Sequence, residues 1–182
     1  MTIWIILGIV VVLIIAVIGM YNSLVQSKIK VDNAWSQIDV QLQRRFDLIP
    51  NFVETVKGYM THEKETFEKI ASLRTSWANA NSVSEKAELD NQLSTTLKTI
   101  MAVSENYPEL KANENFLQLQ GDLKDCEEKI SFARQFYNDT VLSYMNKIEM
   151  FPSNIIASMF NFKKADYFEA GEEAKTAPKV SF

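Results

Sequence analysis

From Ile3 to Met20 the chain is apolar without interruption, and no charged side chain occurs before Lys28. As a helix rising about 1.5 Å per residue this stretch reaches roughly 27 Å, close to the hydrocarbon thickness of a bilayer. Its roughly thirteen Ile, Leu and Val residues, at about −0.3 to −0.6 kcal/mol each, favour insertion by on the order of −4 to −8 kcal/mol. Trp4 and Tyr21 fall near the two ends, where amphipathic rings prefer the headgroup level. A cleaved signal would start with a basic segment and end in small residues. Met1-Thr2 has no Lys or Arg, and Ile18-Gly19-Met20-Tyr21 is no such ending, so residues 1–27 are read as a retained single-pass anchor. Lys28 and Lys30 follow it directly. The positive-inside rule then puts the N-terminus outside and the remaining domain in the cytoplasm.

The rest of the 182 residues suffices for one domain with its own core, given 47% hydrophobic content. Five Gly and four Pro are too few for a turn-rich β fold, which leaves an all-α domain as the expectation. A formal charge of −4 argues against a nucleic-acid partner. Cys126, the single cysteine, cannot close an internal disulfide, and His62, the single histidine, has no His or Cys with which to share zinc. No cofactor or metal is expected.

Beyond the anchor, Val31, Trp35, Ile38, Leu42, Arg45 and Ile49 recur at spacings of four and three, one stripe of a helix. With no Pro before Pro50, anchor and stripe read as a single continuous helix. Pro50 lacks an amide hydrogen and disfavours helix at Ile49, which predicts a kink or restart at Asp47–Pro50. The stripe continues through Val53, Val56, Met60, Phe67, Ile70 and Trp77, as for a bent helix along one partner. Asn79 to Ser84 reads as a polar connection. Ser82 and Glu85 have the form of a capping box, predicting a helix from there to about Ser104 with Leu89, Leu93, Leu97, Ile100 and Val103 inward. Tyr107-Pro108 breaks it. Phe116, Leu119, Leu123, Cys126, Ile130, Ala133, Tyr137, Val141, Tyr144 and Ile148 then predict a long helix in coiled-coil-like contact. Phe151-Pro152 ends that helix, and residues 153–160 are a short amphipathic candidate. Residues 28–165 are read as the bundle and 166–182 as a polar mobile tail, polar with Gly and Pro from Ala170 onward.

The blocks Tyr21-Asn22-x-Leu24-Val25, Val31-x-x-Ala34-Trp35-Ser36-x-Ile38-Asp39-Val40-Gln41-Leu42-x-Arg44-Arg45-x-Asp47-Leu48-Ile49-Pro50-Asn51, Val56-Lys57-Gly58-Tyr59 and His62-Glu63 resemble the LemA family. So do Tyr107-Pro108-x-Leu110-Lys111-Ala112-x-x-x-Phe116, Arg134-x-x-Tyr137-Asn138, Phe151-Pro152-Ser153-Asn154 and Pro178-Lys179-Val180-x-Phe182. The resemblance implies a bacterial inner-membrane protein with one N-terminal span, a cytoplasmic bundle of long antiparallel helices and no established enzymatic activity. Its members include a protein associated with magnetosome membranes, which leans toward membrane organisation.

Several residues are weighed as structural or partner-binding sites. Arg45 lies in an apolar stripe beside Arg44 and needs carboxylates if buried; Asp39 and Asp47 are the nearest. The plainer role is an ion network that fixes helix register, against a site for an anionic headgroup or partner. Trp35 lies in the same stripe, Pro50 marks the expected kink or restart around which an adaptor's bundle would change packing, and Asn138 is expected to hydrogen-bond across the bundle beside Tyr137. His62-Glu63-Lys64-Glu65 begins like a zinc-protease motif, but Thr66 stands where the second histidine would be. Cys126 reads as an inert core thiol. From Phe151 and Pro152 through Asn154, Ile156 and Phe160 to Phe162, the chain carries more apolar surface than capping a core requires, so it either caps the bundle or meets a second copy, a partner or lipid. The leading expectation is a non-enzymatic, self-associating membrane scaffold. A membrane-tethered adaptor for a cytoplasmic protein is the alternative, and hydrolysis a distant third.

Overall fold

A computed structural model of the protein describes residues 1–60 and 62–169. Among them every regular element is helical: α1 (Thr2–Lys57), α2 (Lys64–Asn79), α3 (Val83–Ser104), α4 (Pro108–Lys111), α5 (Glu114–Glu149) and α6 (Ser153–Met159). The chain divides into two compact units, one of Met1–Gln37 with Gln135–Asp166, the other of Ile38–Arg134 with the described residues from Tyr167 onward. Helices α1 and α5 contribute residues to both.

Helix α1 is continuous from the apolar span onward, as expected, but it also runs through Pro50 and stops at Lys57. The expected restart at Asp47–Pro50 does not occur, and the helix expected to reach Trp77 is two helices. Gly58, the weakest helix former near that point, opens the turn, and the Tyr59 and Met60 amides close it onto the Val56 carbonyl at 3.0 Å. Met60 is buried in this turn, which keeps the apolar stripe in step and hides the break from a spacing count. Helix α3 begins where the capping box places it: the Ser82 hydroxyl accepts from the Glu85 amide at 3.1 Å, and the Glu85 carboxylate accepts from the Ser82 amide at 3.1 Å. Asn113 starts α5 in the same manner, its side-chain oxygen accepting from the Phe116 amide at 3.0 Å.

In the first unit, α1 residues up to Ala16 stand exposed, and full burial begins at Leu24. Leu24, Val31 and Ala34 of α1 share the core with Tyr137, Val141, Tyr144 and Ile148 of α5 and with Ile156 and Ala157 of α6. Trp35 meets Tyr137 ring to ring at 5.8 Å, while the Lys147 ammonium donates to the Ser23 and Ser27 hydroxyls at 3.0 and 2.7 Å. Rising numbers on α1 thus face falling numbers on α5, an antiparallel pair.

In the second unit, Ile38, Leu42, Phe46, Ile49, Phe52 and Val56 of α1 are buried together with Phe67, Ile70, Leu73 and Trp77 of α2. Phe46 stacks on Trp77 at 4.3 Å and Phe52 on Phe116 at 5.9 Å. With Lys57 lying 5.9 Å over the Phe67 ring and Arg44 3.6 Å from Asp125, these contacts run both α2 and α5 antiparallel to α1. Leu93, Leu97 and Ile100 carry the inward face of α3, and Cys126 is fully buried on α5. Burial pushes the Cys126 thiol above its ordinary 9.0, which keeps it protonated and inert.

Part of the segment read as a mobile tail is anchored. The Tyr144 hydroxyl donates to the Lys163 carbonyl at 2.7 Å and the Tyr137 hydroxyl to the Asp166 carbonyl at 2.7 Å. Two turns of helix, about 10 Å, match three extended residues, about 10 Å, so the chain runs back along α5 as a strap. Burial, with Asp166 and Asp32 adding to it, pushes Tyr137 up to about 12, so its hydroxyl stays a donor. In the second unit the strap continues into Phe168, which is buried, and into Glu169, whose carbonyl accepts from Asn91 at 3.2 Å. The remainder of the tail, 170–182, lies outside the described residues.

Candidate functional site

The most chemically loaded place in the second unit lies where α1, α3 and α5 meet around Asp90. This carboxylate is 0% exposed. One of its oxygens accepts from Arg45 Nη1 at 2.7 Å and the other from Arg134 Nη2 at 3.1 Å. Arg45 Nη1 also meets Glu127 Oε2 at 2.8 Å. Arg134 lays its guanidinium on the Phe168 ring at 4.5 Å. Two guanidiniums face two carboxylates, so the cluster balances its own charge. Burial pushes the Asp90 carboxyl above its ordinary 3.8, and the charges of Arg45 and Arg134 pull back without cancelling that rise. Arg45 Nε and Arg134 Nε are buried without hydrogen-bond partners. Removing a member of such a cluster strands a charge in low dielectric.

Arg45 is therefore buried and paired, but with neither Asp39 nor Asp47. Those two lie six residues before it and two after it on the same helix, and they point elsewhere. Asp39 pairs with Lys86, and Asp47 accepts from Gln43 at 2.9 Å. Arg44 faces outward, 3.6 Å from Asp125. The sequence patterns do not single out Asp90, Glu127 or Arg134 as site residues. A signal exists all the same: Ala87, Asp90, Leu93, Leu97 and Ile100 form an equally good stripe on α3, as do Ile130, Arg134, Tyr137 and Val141 on α5. A charge inside a stripe is the mark that Arg45 displays.

Also in the second unit, a groove of about 290 Å³ is lined by Gln43, Phe46, Asp47, Arg74, Trp77, Ala78, Ala80 and Lys86. Lys86 sits 5.0 Å over the Trp77 ring, and Trp77 Nε1 donates to Gln43 at 3.4 Å. A second concavity, at Asp39, Val40, Gln43, Arg44, Asp47 and Leu48, is lined by α1 alone and is a surface hollow. Among the described residues no group of three or more His, Cys, Asp or Glu could hold a metal, and His62 is exposed.

The remaining singled-out residues lie in the first unit, apart from Pro50 inside α1. Trp35 packs on Tyr137, and Asn138 next to it is half-buried. Pro152 precedes α6, Asn154 holds a buried oxygen without a hydrogen-bond partner, and Ile156 points into the core. Phe160 is half exposed and meets Tyr21 at 4.7 Å.

Long helices, a helix of membrane-crossing length and composition with none of its apolar window buried, and a closed ionic core define an all-α bundle with a candidate membrane span. The chain belongs to the LemA family, which it matches over residues 34–182. It is 27% identical over 156 residues to Protein LemA of Metamycoplasma hominis, covering 85% of this chain and 71% of that one. It is 26% identical over 189 residues to Magnetosome protein MamQ 2 of Paramagnetospirillum magneticum, covering 88% and 70%. Against Magnetosome protein MamQ of Magnetospirillum gryphiswaldense the identity is 26% over 94 residues, covering 50% of this chain and 35% of the relative.

Proposed function

We propose that this protein is a membrane-anchored, non-enzymatic helical scaffold that self-associates and organises the bilayer or the proteins bound to it. The observation that carries the reading is the pairing of an uncovered apolar helix with a bundle whose buried charges satisfy one another. Such a core is built for register, since Asp90 has both oxygens engaged by guanidiniums. Uncovered apolar side chains on the packed helices supply contact surface: Phe132, Leu117 and Val40 in the second unit, Phe136, Leu142 and Ile29 in the first. Confinement to a membrane raises the local concentration at which weak contacts count. Relatives named as magnetosome proteins favour a role at membranes. Lys28 and Lys30 favour a cytoplasmic bundle at the inner membrane, and protease added outside intact cells should leave it uncut.

The test is the mass of the full-length protein in mild detergent together with electron micrographs of the same sample. Large uniform assemblies are expected, and a monomer at every concentration overturns the reading. An adaptor reading draws on the groove at Trp77, where Arg74, Lys86 and Asp47 surround an aromatic floor. A stoichiometric cytoplasmic partner whose binding is lost in Trp77→Ala, with no homo-oligomer, would favour the adaptor.

A further inference from the structure

The loop and helix that follow α5 are charge-free from Met150 to Phe162, with Lys147 and Glu149 before them and Lys163 and Lys164 after. Helix α6 buries Ile156 and Ala157 and turns its other face outward, where Ile155 and Met159 stand exposed beside Ser158 and no charge occurs. Ile155 is 51% exposed and Met159 70%, four residues apart on one side of α6, and Phe151, in the turn just before the helix, is 79% exposed. A short helix at the wet end of a bundle would carry charged residues there.

The level of this surface is fixed within its own unit. Phe160 and Phe162 close on the Tyr21 ring at 4.7 and 5.9 Å, and Tyr21 ends the apolar run of α1. Lys147 donates to Ser23 and Ser27, which holds the last turns of α5 beside the same stretch. The first charge on α1, Lys28, comes seven residues past Tyr21, about 10 Å further along the helix. The uncovered side chains therefore lie where the span leaves hydrocarbon, and the lysines lie on the aqueous side of them.

We propose that Met150–Phe162 is a second membrane contact, an in-plane element that seats Phe151, Ile155 and Met159 at the headgroup–acyl boundary of the bilayer crossed by α1. Lipid is the occupant because the patch is continuous with the exposed apolar flank of α1, and a bilayer around that flank reaches the patch. Lys163, exposed just beyond it, faces anionic headgroups, and the Tyr144 hydroxyl holds its carbonyl in place. This inference rests on the anchoring part of the proposed function.

The test uses full-length protein in vesicles of phosphatidylcholine and phosphatidylglycerol, with an environment-sensitive fluorophore on single introduced cysteines: Ile155→Cys, Met159→Cys, Val12→Cys or Gln118→Cys. Cys126, fully buried, stays in place, and unsubstituted protein reports its background labelling. Labels at 155 and 159 should be quenched several-fold more by shallow spin-labelled lipid than the label at 118, and shielded from aqueous iodide. The label at 12 should respond to deep spin labels. If 155 and 159 behave like 118 while 12 is quenched, the second contact is overturned and anchoring stands. Labels shielded from iodide yet untouched by spin-labelled lipid would assign the patch to another copy of the chain, again overturning it. No lipid quenching at position 12 would remove the anchoring reading and this inference with it.

Discussion

Asp90 shows how one side chain can settle the packing of three helices. Its two oxygens take one guanidinium each, from Arg45 and Arg134, in a place that bulk solvent does not reach. Asp90→Ala would leave Arg134 without its carboxylate and Arg45 with Glu127 alone, and a loss of about 3 kcal/mol is expected in denaturant unfolding. Asp90→Asn keeps an acceptor and should lose less; equal stability of Asp90→Ala and the parent would show that the cluster holds nothing. Glu85 supplies a pH-dependent counterpart at the surface. Hydrogen bonds from the Asn81 and Ser82 amides hold its carboxyl below the ordinary 4.5. A lowered acid stabilises the fold above its unfolded value, and that contribution is lost as pH falls through the folded one. Protection of the Asn81 and Ser82 amides, taken relative to their intrinsic exchange rates, should therefore fall only below about pH 4.5, and in Glu85→Gln this step should be absent.

At the scale of elements, the strap along α5 is the part most open to challenge by mutation. Tyr144→Phe deletes one hydrogen bond to Lys163 and should cost about 1 kcal/mol, with proteolysis between Asn161 and Asp166 becoming faster; unchanged cleavage would mean the strap is held by packing alone. The path of α1 through Pro50 has a physical basis in its neighbours. Ile49 and Phe52 are buried on either side of it, and their burial outweighs the hydrogen bond that proline cannot make. Gly58, with less to bury, is where the helix gives way.

For the molecule as a whole, the span sets where everything else can be. An insertion preference on the order of −4 to −8 kcal/mol tolerates one central arginine at about +2.5 to +3.5 kcal/mol and is about cancelled by two, which also remove two apolar residues. Val11→Arg alone should stay in the membrane pellet after an alkaline wash, whereas Val11→Arg with Ile14→Arg should move to the supernatant. Retention of the double variant would show that surfaces outside α1 are enough to hold the protein on the bilayer.

The sequence by itself determined the features that depend on local periodicity and chemistry. These are the apolar span and its continuation into α1, the capping box at Ser82, the breaks at Pro108 and Pro152, and the extent of α5. The stripe through Val31, Ile38, Leu42 and Ile49 was legible for the same reason, since helical spacing and burial on one side are written in neighbouring residues. Only the tertiary structure decided which carboxylates meet Arg45, because Asp90 and Glu127 are brought to it by packing and lie far away in the chain. It also decided that the stripe crosses a break at Gly58, since a tight turn can preserve the phase of a helix, and that Tyr144 and Tyr137 reach past α5 to bind the strap. The outward apolar face of α6 was visible as a surplus of apolar residues. Its place beside Tyr21 comes from the antiparallel pairing of α1 with α5, a long-range contact that no local pattern encodes.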